Sequence, residues 1–340
     1  MSRQAVLLVN LGSPASPSTA DVRAYLDEFL MDPYVLDVPT LVRAALVRGV
    51  ILRSRPAKSA EAYAKIWTGE GSPLVVISEH ARAALEARMG LPVGLAMRYG
   101  EPSIVHGIEA LLARAGELDD LVVVPLYPHY AMASTQTVEV AVDAALAGKN
   151  VPYRFTPPFY DDPGYLDALA GSLRAAIPAD TQFLLFSYHG IPGRHVRKLD
   201  PTGSHCLRSG DCCERPSAAW AKCYRHQVLT TMHGVAERLG LGENEYGFAF
   251  QSRLGGGWLE PFTDKELVAL PARGVTKLVV VCPSFVADCL ETLEEMEMRG
   301  RETFLAAGGE SFTYVPCLNA DPVWIDALAA LCNKPATVLA

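Results

Sequence analysis

The chain has no long apolar run. None of the hydrophobic stretches in its 340 residues approaches the roughly 20 residues needed to cross a bilayer. A basic leader followed by an apolar segment is missing too. Met1-Ser2-Arg3-Gln4 runs straight into the strand-like Ala5–Leu11, so a secretory peptide is not expected. Positive charge is scarce: 30 Lys and Arg face 38 Asp and Glu, a net charge of −8. That sign argues against a nucleic-acid partner. The dinucleotide fingerprint G-x-G-x-x-G is absent from the turn after the first apolar run, which reads Asn10-Leu11-Gly12-Ser13-Pro14. Gly255-Gly256-Gly257 is a lone glycine run, far from a first strand–helix turn, so a nicotinamide dehydrogenase is disfavoured. Short repeats and low-complexity segments are lacking as well. A cytoplasmic protein is expected.

Half of the residues are hydrophobic and a fifth are charged, enough for large cores. Short apolar runs alternate with amphipathic stretches. Strands are expected at Ala5–Leu11, Val93–Met97, Asp120–Pro125, Tyr153–Thr156, Gln182–Ser187, Tyr246–Gln251, Lys277–Val281 and Phe312–Val315. Between them lie helical patterns, among them Thr19–Leu30, Ser78–Met89, Tyr224–Leu239 and Asp288–Ala307. Alternating elements of this kind make an α/β protein with parallel sheets and helices on both faces. Eight strands fit one sheet or two sheets of four, the latter with a boundary near Pro157-Pro158. The last helix, Pro322–Leu331, is expected to cross back onto the first half.

Two strand–helix junctions carry chemistry. Phe183–Ser187 leads into Tyr188-His189-Gly190-Ile191-Pro192, placing an imidazole at a carboxyl strand end, where ligands bind in open α/β sheets. Leu278–Val281 leads into a segment in which Asp288, Glu291 and Glu295 fall at i, i+3 and i+7, one face of a helix. Acids at a helix start also serve as caps or dipole partners, and a lone histidine is more often structural. Glu294 and Glu297 are expected to be solvated. Tyr127, His129 and Tyr130 follow another strand end and are expected to line the same cleft. Residues 29–53 are rich in apolar side chains with Arg43, Arg48 and Arg53 interspersed. This segment reads either as a core-covering helix pair or as an apolar lip able to rest on a membrane. Cys206, Cys212, Cys213 and Cys223 cluster within 194–226, whereas Cys282, Cys289, Cys317 and Cys332 sit in apolar surroundings as inert buried thiols.

The chain resembles ferrochelatases, which insert ferrous iron into a porphyrin. The resemblance runs nearly end to end. It is carried by Leu8-Val9-Asn10-Leu11-Gly12-Ser13-Pro14, Gly71-Ser72-Pro73-Leu74, Met97-Arg98-Tyr99-Gly100 and Pro125-Leu126-Tyr127-Pro128-His129-Tyr130. It continues through Ser187-Tyr188-His189-Gly190-Ile191-Pro192, Gly257-Trp258-Leu259-Glu260-Pro261 and Asp288-Cys289-Leu290-Glu291-Thr292-Leu293-Glu294-Glu295. The resemblance implies two similar Rossmann-like, chelatase-type domains, 1–157 and 158–319, with the porphyrin between them and a C-terminal helix at 320–340 joining the first. It implies His189 and Glu291 as catalytic residues and holders of substrate iron, with Glu295 as a relay. Leu11, Tyr63, Trp258 and Phe285 match pocket walls, and Tyr127 is placed beside them. Arg53 or Arg55, Ser72 and Arg98 match the propionate side, where an Arg fork suits a carboxylate.

The resemblance further implies protoporphyrin IX and Fe2+ as substrates, with peripheral contact to the inner membrane through 29–53. Its alternatives are a coproporphyrin III ferrochelatase, a cobalt or nickel chelatase of the same fold, and a non-catalytic porphyrin or haem carrier. The cysteine spacing C-x5-C-C-x9-C suits structural zinc poorly, whereas four thiolates on an irregular loop suit a 2Fe–2S cluster. Some ferrochelatases hold one. The expected ligands are Cys206, Cys212, Cys213 and Cys223, with His205 and His226 as stand-ins.

Overall fold

A computed structural model of the chain describes residues 3–253 and 255–334. Among these, the first half runs β1 (Gln4–Gly12), α1 (Thr19–Leu30), α2 (Thr40–Leu46), a π-helical turn (Val47–Ile51), α3 (Leu52–Ile66), α4 (Pro73–Met89), β2 (Val93–Tyr99), α5 (Ile104–Ala115), β3 (Asp120–Pro125), α6 (Thr137–Leu146) and β4 (Tyr153–Phe155). The second runs α7 (Pro163–Ala176), β5 (Phe183–His189), α8 (Gly193–Lys198), α9 (Tyr224–Leu239), β6 (Tyr246–Gln251), α10 (Thr263–Ala272), β7 (Lys277–Val281), α11 (Leu290–Thr292), a π-helix (Leu293–Gly300), α12 (Arg301–Ala306), β8 (Ser311–Val315) and α13 (Pro322–Cys332).

The strands form two all-parallel sheets of four, in the orders β2-β1-β3-β4 and β6-β5-β7-β8. The two halves therefore share one topology. Helices cover both faces, so the central strands read as continuous apolar runs rather than alternating ones. Ala5–Val9 of β1 is wholly buried, and so is Leu184–Tyr188 of β5. Each such aliphatic side chain contributes about 1.5–3 kcal/mol of transfer free energy.

One core fills the space between the sheets and draws on α4, α7, α9 and α13. Two smaller cores back the outer faces, under α5 and α6 in the first half and under α10 and α12 in the second. α13 packs on α4 and α7, with Trp324 against the rings of Phe159 and Tyr165. Residues 335–340 of the expected closing helix lie outside the described residues.

In each sheet the chain leaves a central strand for one neighbour and then crosses to the other. The switch points fall between β1 and β3 and between β5 and β7, and crevices at such points take ligands. Two elements differ from expectation. α3 is an extra helix between β1 and β2, with Arg53, Arg55, Lys58, Glu61 and Lys65 outward. The helix expected from Asp288 begins at Leu290, because Cys289 is still extended (φ −148°, ψ −169°).

Candidate active site

His189 is the last residue of β5 and is half-buried. Its peptide is held from two sides. The His189 N–H donates to Ser284 Oγ at 3.2 Å, and its carbonyl accepts from the Tyr224 hydroxyl at 2.8 Å. Tyr224 and Ser284 hydroxyls are themselves 2.8 Å apart, so the ends of β5 and β7 and the start of α9 meet on this one residue. The His189 ring lies edge-on to Phe285, with centroids 6.2 Å apart. The following Gly190 allows a close approach. A Cβ there would meet the Gln251 carbonyl oxygen at 2.7 Å and the Trp258 ring at 3.3 Å. Pro192 and Trp258 form an antiparallel bridge, and Leu259 N–H donates to the Ile191 carbonyl, so Trp258 is fixed beside the histidine's own turn.

The carboxylates come from α11 and the π-helix. Glu291 and Glu295 share a face and feel one another. Burial, then the charge of Glu291, pushes the Glu295 carboxyl above its ordinary range, against the opposing pull of Ser252, Arg299 and His189. Ser252 donates its hydroxyl to Glu295 and Arg299 lies 3.2 Å away. Ser252 sits at φ +61°, a left-handed conformation that costs a non-glycine residue free energy. Gln251 ties this side together: its amide donates to the Glu291 carbonyl at 3.2 Å and its side-chain oxygen accepts from Ser187 at 2.7 Å.

Two expectations about this segment are corrected. Asp288 is not part of an acidic stripe. It precedes the helix and is buried, accepting from Thr292, Tyr314, the Cys317 N–H and Asn319. Glu294 is not solvated. It is 2% exposed, because α3 covers that side of the π-helix and supplies Lys65 at 3.0 Å opposite Arg299 at 2.7 Å.

The first half contributes the facing residues. Leu11 follows Asn10, whose side-chain oxygen accepts the Leu11 N–H at 2.8 Å and whose amide donates to Ser78. Tyr63 and Tyr25 are buried beside Glu291. Burial first, then neighbouring charge that includes Glu291, pushes both phenols well up. Tyr127 is half-buried, and its hydroxyl has no partner among the described residues. Arg98 is engaged: it pairs with buried Asp32 at 2.5 Å, donates to Thr137, and lies over the Tyr99 ring. Arg53 and Arg55 are exposed on α3. Ser72 lines a cleft of about 480 Å³ together with Ser13, Tyr25 and Trp67. Its other walls carry Asp21, Glu28, Glu70 and Glu101 and, among the described residues, no basic side chain. His129 and Tyr130 are buried rather than lining a cleft. His129 is wedged against Tyr188 and Tyr224 of the other half.

The ferrochelatase family model matches residues 3–336. A ferrochelatase of Pseudomonas fluorescens (strain SBW25) is 51% identical over 344 residues, covering 100% of both chains. One from Azotobacter vinelandii is 50% identical over 342 residues, covering 98% of this chain and 100% of its own. The chain belongs to the ferrochelatase family. Among solved structures, SirB from Bacillus subtilis with Fe3+ superposes with a TM-score of 0.53 at 14% identity, covering 97% of this chain and 94% of that one. The sirohydrochlorin chelatase SirB from Bacillus subtilis subspecies spizizenii in complex with cobalt gives 0.52 at 14% identity, over 98% and 94%. At that identity they show the fold alone, the two-sheet arrangement described above.

Between α8 and α9 the chain carries a long loop that gathers thiols. Asp200 shapes it by accepting the N–H groups of Thr202, His205 and Cys206 at 2.8–2.9 Å. Cys206, Cys212 and Cys223 are buried and Cys213 is half-buried. The Cys223 thiol acts on the titration of both the Cys206 and the Cys213 thiols. Burial above all holds Cys206 protonated, and contact with Cys223 together with burial does the same for Cys213. His205 and His226, the expected stand-in ligands, each commit one ring nitrogen to the loop backbone. Their ring nitrogens pair with the carbonyls of Cys212 (2.7 Å) and Cys213 (3.1 Å), fixing the loop's path. Among the described residues no three or more His, Cys, Asp or Glu side chains are arranged to hold one metal ion. Four cysteines gathered on one irregular loop are the donor chemistry of a soft metal centre.

Proposed function

We propose that the chain inserts Fe2+ into protoporphyrin IX to form protohaem, the last step of haem synthesis. The observation that supports this reading is that His189, from the switch point of the second sheet, and Glu291 both act on the buried carboxyl of Glu295. Metallation exchanges two pyrrole protons for one Fe2+. His189 and Glu291 offer imidazole and carboxylate, ligands that ferrous iron accepts, and the same groups accept protons. Burial holds a proton on the Glu295 carboxyl more firmly than on an exposed one, which suits this residue to take protons from the site and pass them outward. Leu11, Tyr63, Tyr127, Trp258 and Phe285 supply rigid apolar walls, which a distorted macrocycle needs. Arg53 or Arg55, with Ser72 and Arg98, face the propionates. Arg98 already shares its charge with Asp32, so a propionate there adds to an existing network. The two halves act as domains, 1–157 and 158–319, with α13 returning to the first.

The lip formed by residues 29–53 rests on a membrane surface. Leu41 is 85% exposed and Val50 62%, an apolar display beside Arg48 and Arg53. No helix among the described residues is long and apolar enough to cross a bilayer; the reading places the lip against the cytoplasmic face of the inner membrane as a peripheral contact. The same apolar lip favours protoporphyrin, with its vinyl edge, over coproporphyrin III. A 2Fe–2S cluster on Cys206, Cys212, Cys213 and Cys223 would cross-link the loop to α9 and add a one-electron centre. Colourless protein after anaerobic purification, free of iron and acid-labile sulfide, removes this part of the reading.

The decisive experiment mixes the protein with Fe2+ and protoporphyrin IX without oxygen and follows the porphyrin spectrum. Conversion to haem is expected. Tight porphyrin binding without metallation would instead leave a carrier, and faster turnover of coproporphyrin III would reassign the substrate.

A further inference from the structure

The segment between α1 and α2 forms a hook whose root is in the first half and whose tip is held by the second. At the root, buried Asp32 accepts from Arg98, Tyr99 and Thr137, and its carbonyl takes the N–H groups of Val35 and Leu36. Buried Arg43 shapes the rest by donating to the carbonyls of Leu36 and Val38 at 3.0 Å each and to Thr40. The tip is Asp37, whose side chain is 7% exposed. It reaches α8, where Arg194 Nε lies 2.6 Å and His195 Nε2 3.0 Å from Oδ1, and Lys198 Nζ lies 3.7 Å from Oδ2. The Arg194 contact is a charge-assisted hydrogen bond, the strongest kind available to a carboxylate. α8 is no arbitrary anchor. It follows His189-Gly190-Ile191-Pro192 directly, and its Gly193 N–H donates to the Gly257 carbonyl next to Trp258.

We propose that Asp37 is a latch, a positioning residue that fastens the lip to the helix behind His189 and Trp258 and must release for a porphyrin to enter or a metalloporphyrin to leave. Two cations, Arg194 and Lys198, converge on this single carboxylate beside the His195 ring, which burial holds toward its neutral form. Removing its charge leaves Arg194 and Lys198, about half-exposed, to return to water, while the hook keeps its own shape through Arg43 and Asp32. The lip then swings without unfolding. The gating role rests on the iron-insertion reading above; the latch itself does not.

The test has two arms. Hydrogen exchange on porphyrin-free protein compares wild type with Asp37→Asn. Amides at the tip, 37–38, and in α8, 193–198, are expected to exchange roughly tenfold faster in the variant, with the rest unchanged. Arg194→Gln, at an exposed position, is expected to show the same pattern more weakly and covers the case in which the first variant folds poorly. The double exchange Asp37→Arg with Arg194→Asp is expected to restore part of the protection, because Lys198 then faces a like charge. Unchanged exchange in both single variants overturns the latch. Stopped-flow protoporphyrin fluorescence forms the second arm. Association and dissociation rates are both expected to rise about tenfold in Asp37→Asn, with Kd moving less than about threefold, as for a gate rather than a binding contact. A change in Kd alone, or unchanged rates despite faster exchange, overturns the gating role. Wild-type protein that binds no porphyrin refutes the iron-insertion reading, and the exchange arm still decides the latch.

Discussion

Acid sensitivity of this protein is expected to run through His129. The residue is 2% exposed and lies between the two halves. Its tautomer is fixed by its neighbour. Thr231 gives its one hydroxyl proton to the Tyr160 carbonyl at 2.7 Å, so it accepts from His129 Nε2 at 3.0 Å. The proton is thus on Nε2, and Nδ1 is bare, buried and without a partner among the described residues. Protonating Nδ1 places a charge and an unsatisfied donor beside the rings of Tyr188 and Tyr224 at 5.5 and 5.8 Å. Burial accordingly pushes the His129 pKa down to about 3.

An unfolded histidine titrates near 6.5. The folded value is lower, so below pH 6.5 the unfolded chain binds a proton that the folded one refuses. Stability from this group is full above about pH 6.5 and is lost progressively as pH falls toward 3. The loss works out at about 2 kcal/mol at pH 5 and about 3 kcal/mol at pH 4. Urea unfolding at pH 7.5 and pH 5 measures it, with His129→Gln as the comparison because its amide can still donate to Thr231. The variant costs about 1–3 kcal/mol at neutral pH through imperfect packing, so the pH difference is the quantity to read. Wild type is expected to lose about 2 kcal/mol more than the variant between the two pH values. Equal losses would falsify this account and place the acid-sensitive proton elsewhere.

Three further outcomes follow from the site. Glu291→Gln keeps the Gln251 contact, which goes to the Glu291 backbone carbonyl, and is expected to slow anaerobic single-turnover iron insertion by about 100-fold or more with porphyrin Kd nearly unchanged. A loss confined to binding would mean that Glu291 holds the macrocycle rather than the metal or protons. His189→Ala is expected to abolish insertion while porphyrin fluorescence quenching persists; turnover like wild type removes the imidazole from the mechanism. Leu41→Asp with Val50→Asp is expected to abolish sedimentation with anionic vesicles without loss of folding, since both side chains point outward. Vesicle binding that survives the pair places the membrane contact elsewhere.

The strands were legible because parallel strands covered on both faces must be apolar throughout, and no charge interrupts runs such as Leu121–Val124 or Leu278–Val281. The expected place of His189 at a carboxyl strand end is where β5 puts it, before a turn that closes on Trp258 and leaves no room for a Cβ at Gly190. What escaped was set by tertiary contact. α3 was hidden because it is a further helix within the β1–β2 connection and shows mostly charge outward, with Pro56 inside it. Asp288 was misplaced because a helical wheel assumes that the helix has already begun, whereas Cys289 is extended.

Glu294 is the sharpest case, because its burial depends on α3, and its energetics run against intuition. Its side chain is 3% exposed, whereas those of Lys65 and Arg299 are 49% and 54% exposed. Removing a cation leaves a buried carboxylate with one partner fewer. Removing the carboxylate leaves two cations that water can solvate. Lys65→Met is therefore expected to cost about 1–2 kcal/mol, more than the roughly 0–1 kcal/mol of an ordinary surface pair. Glu294→Leu, which fills the same space with an apolar group, is expected to cost less than Lys65→Met or nothing. Denaturant unfolding of the two variants measures the order. If Glu294→Leu proves the more damaging, the pair is a net stabilising contact in its own right, and the desolvation argument for this helix is wrong.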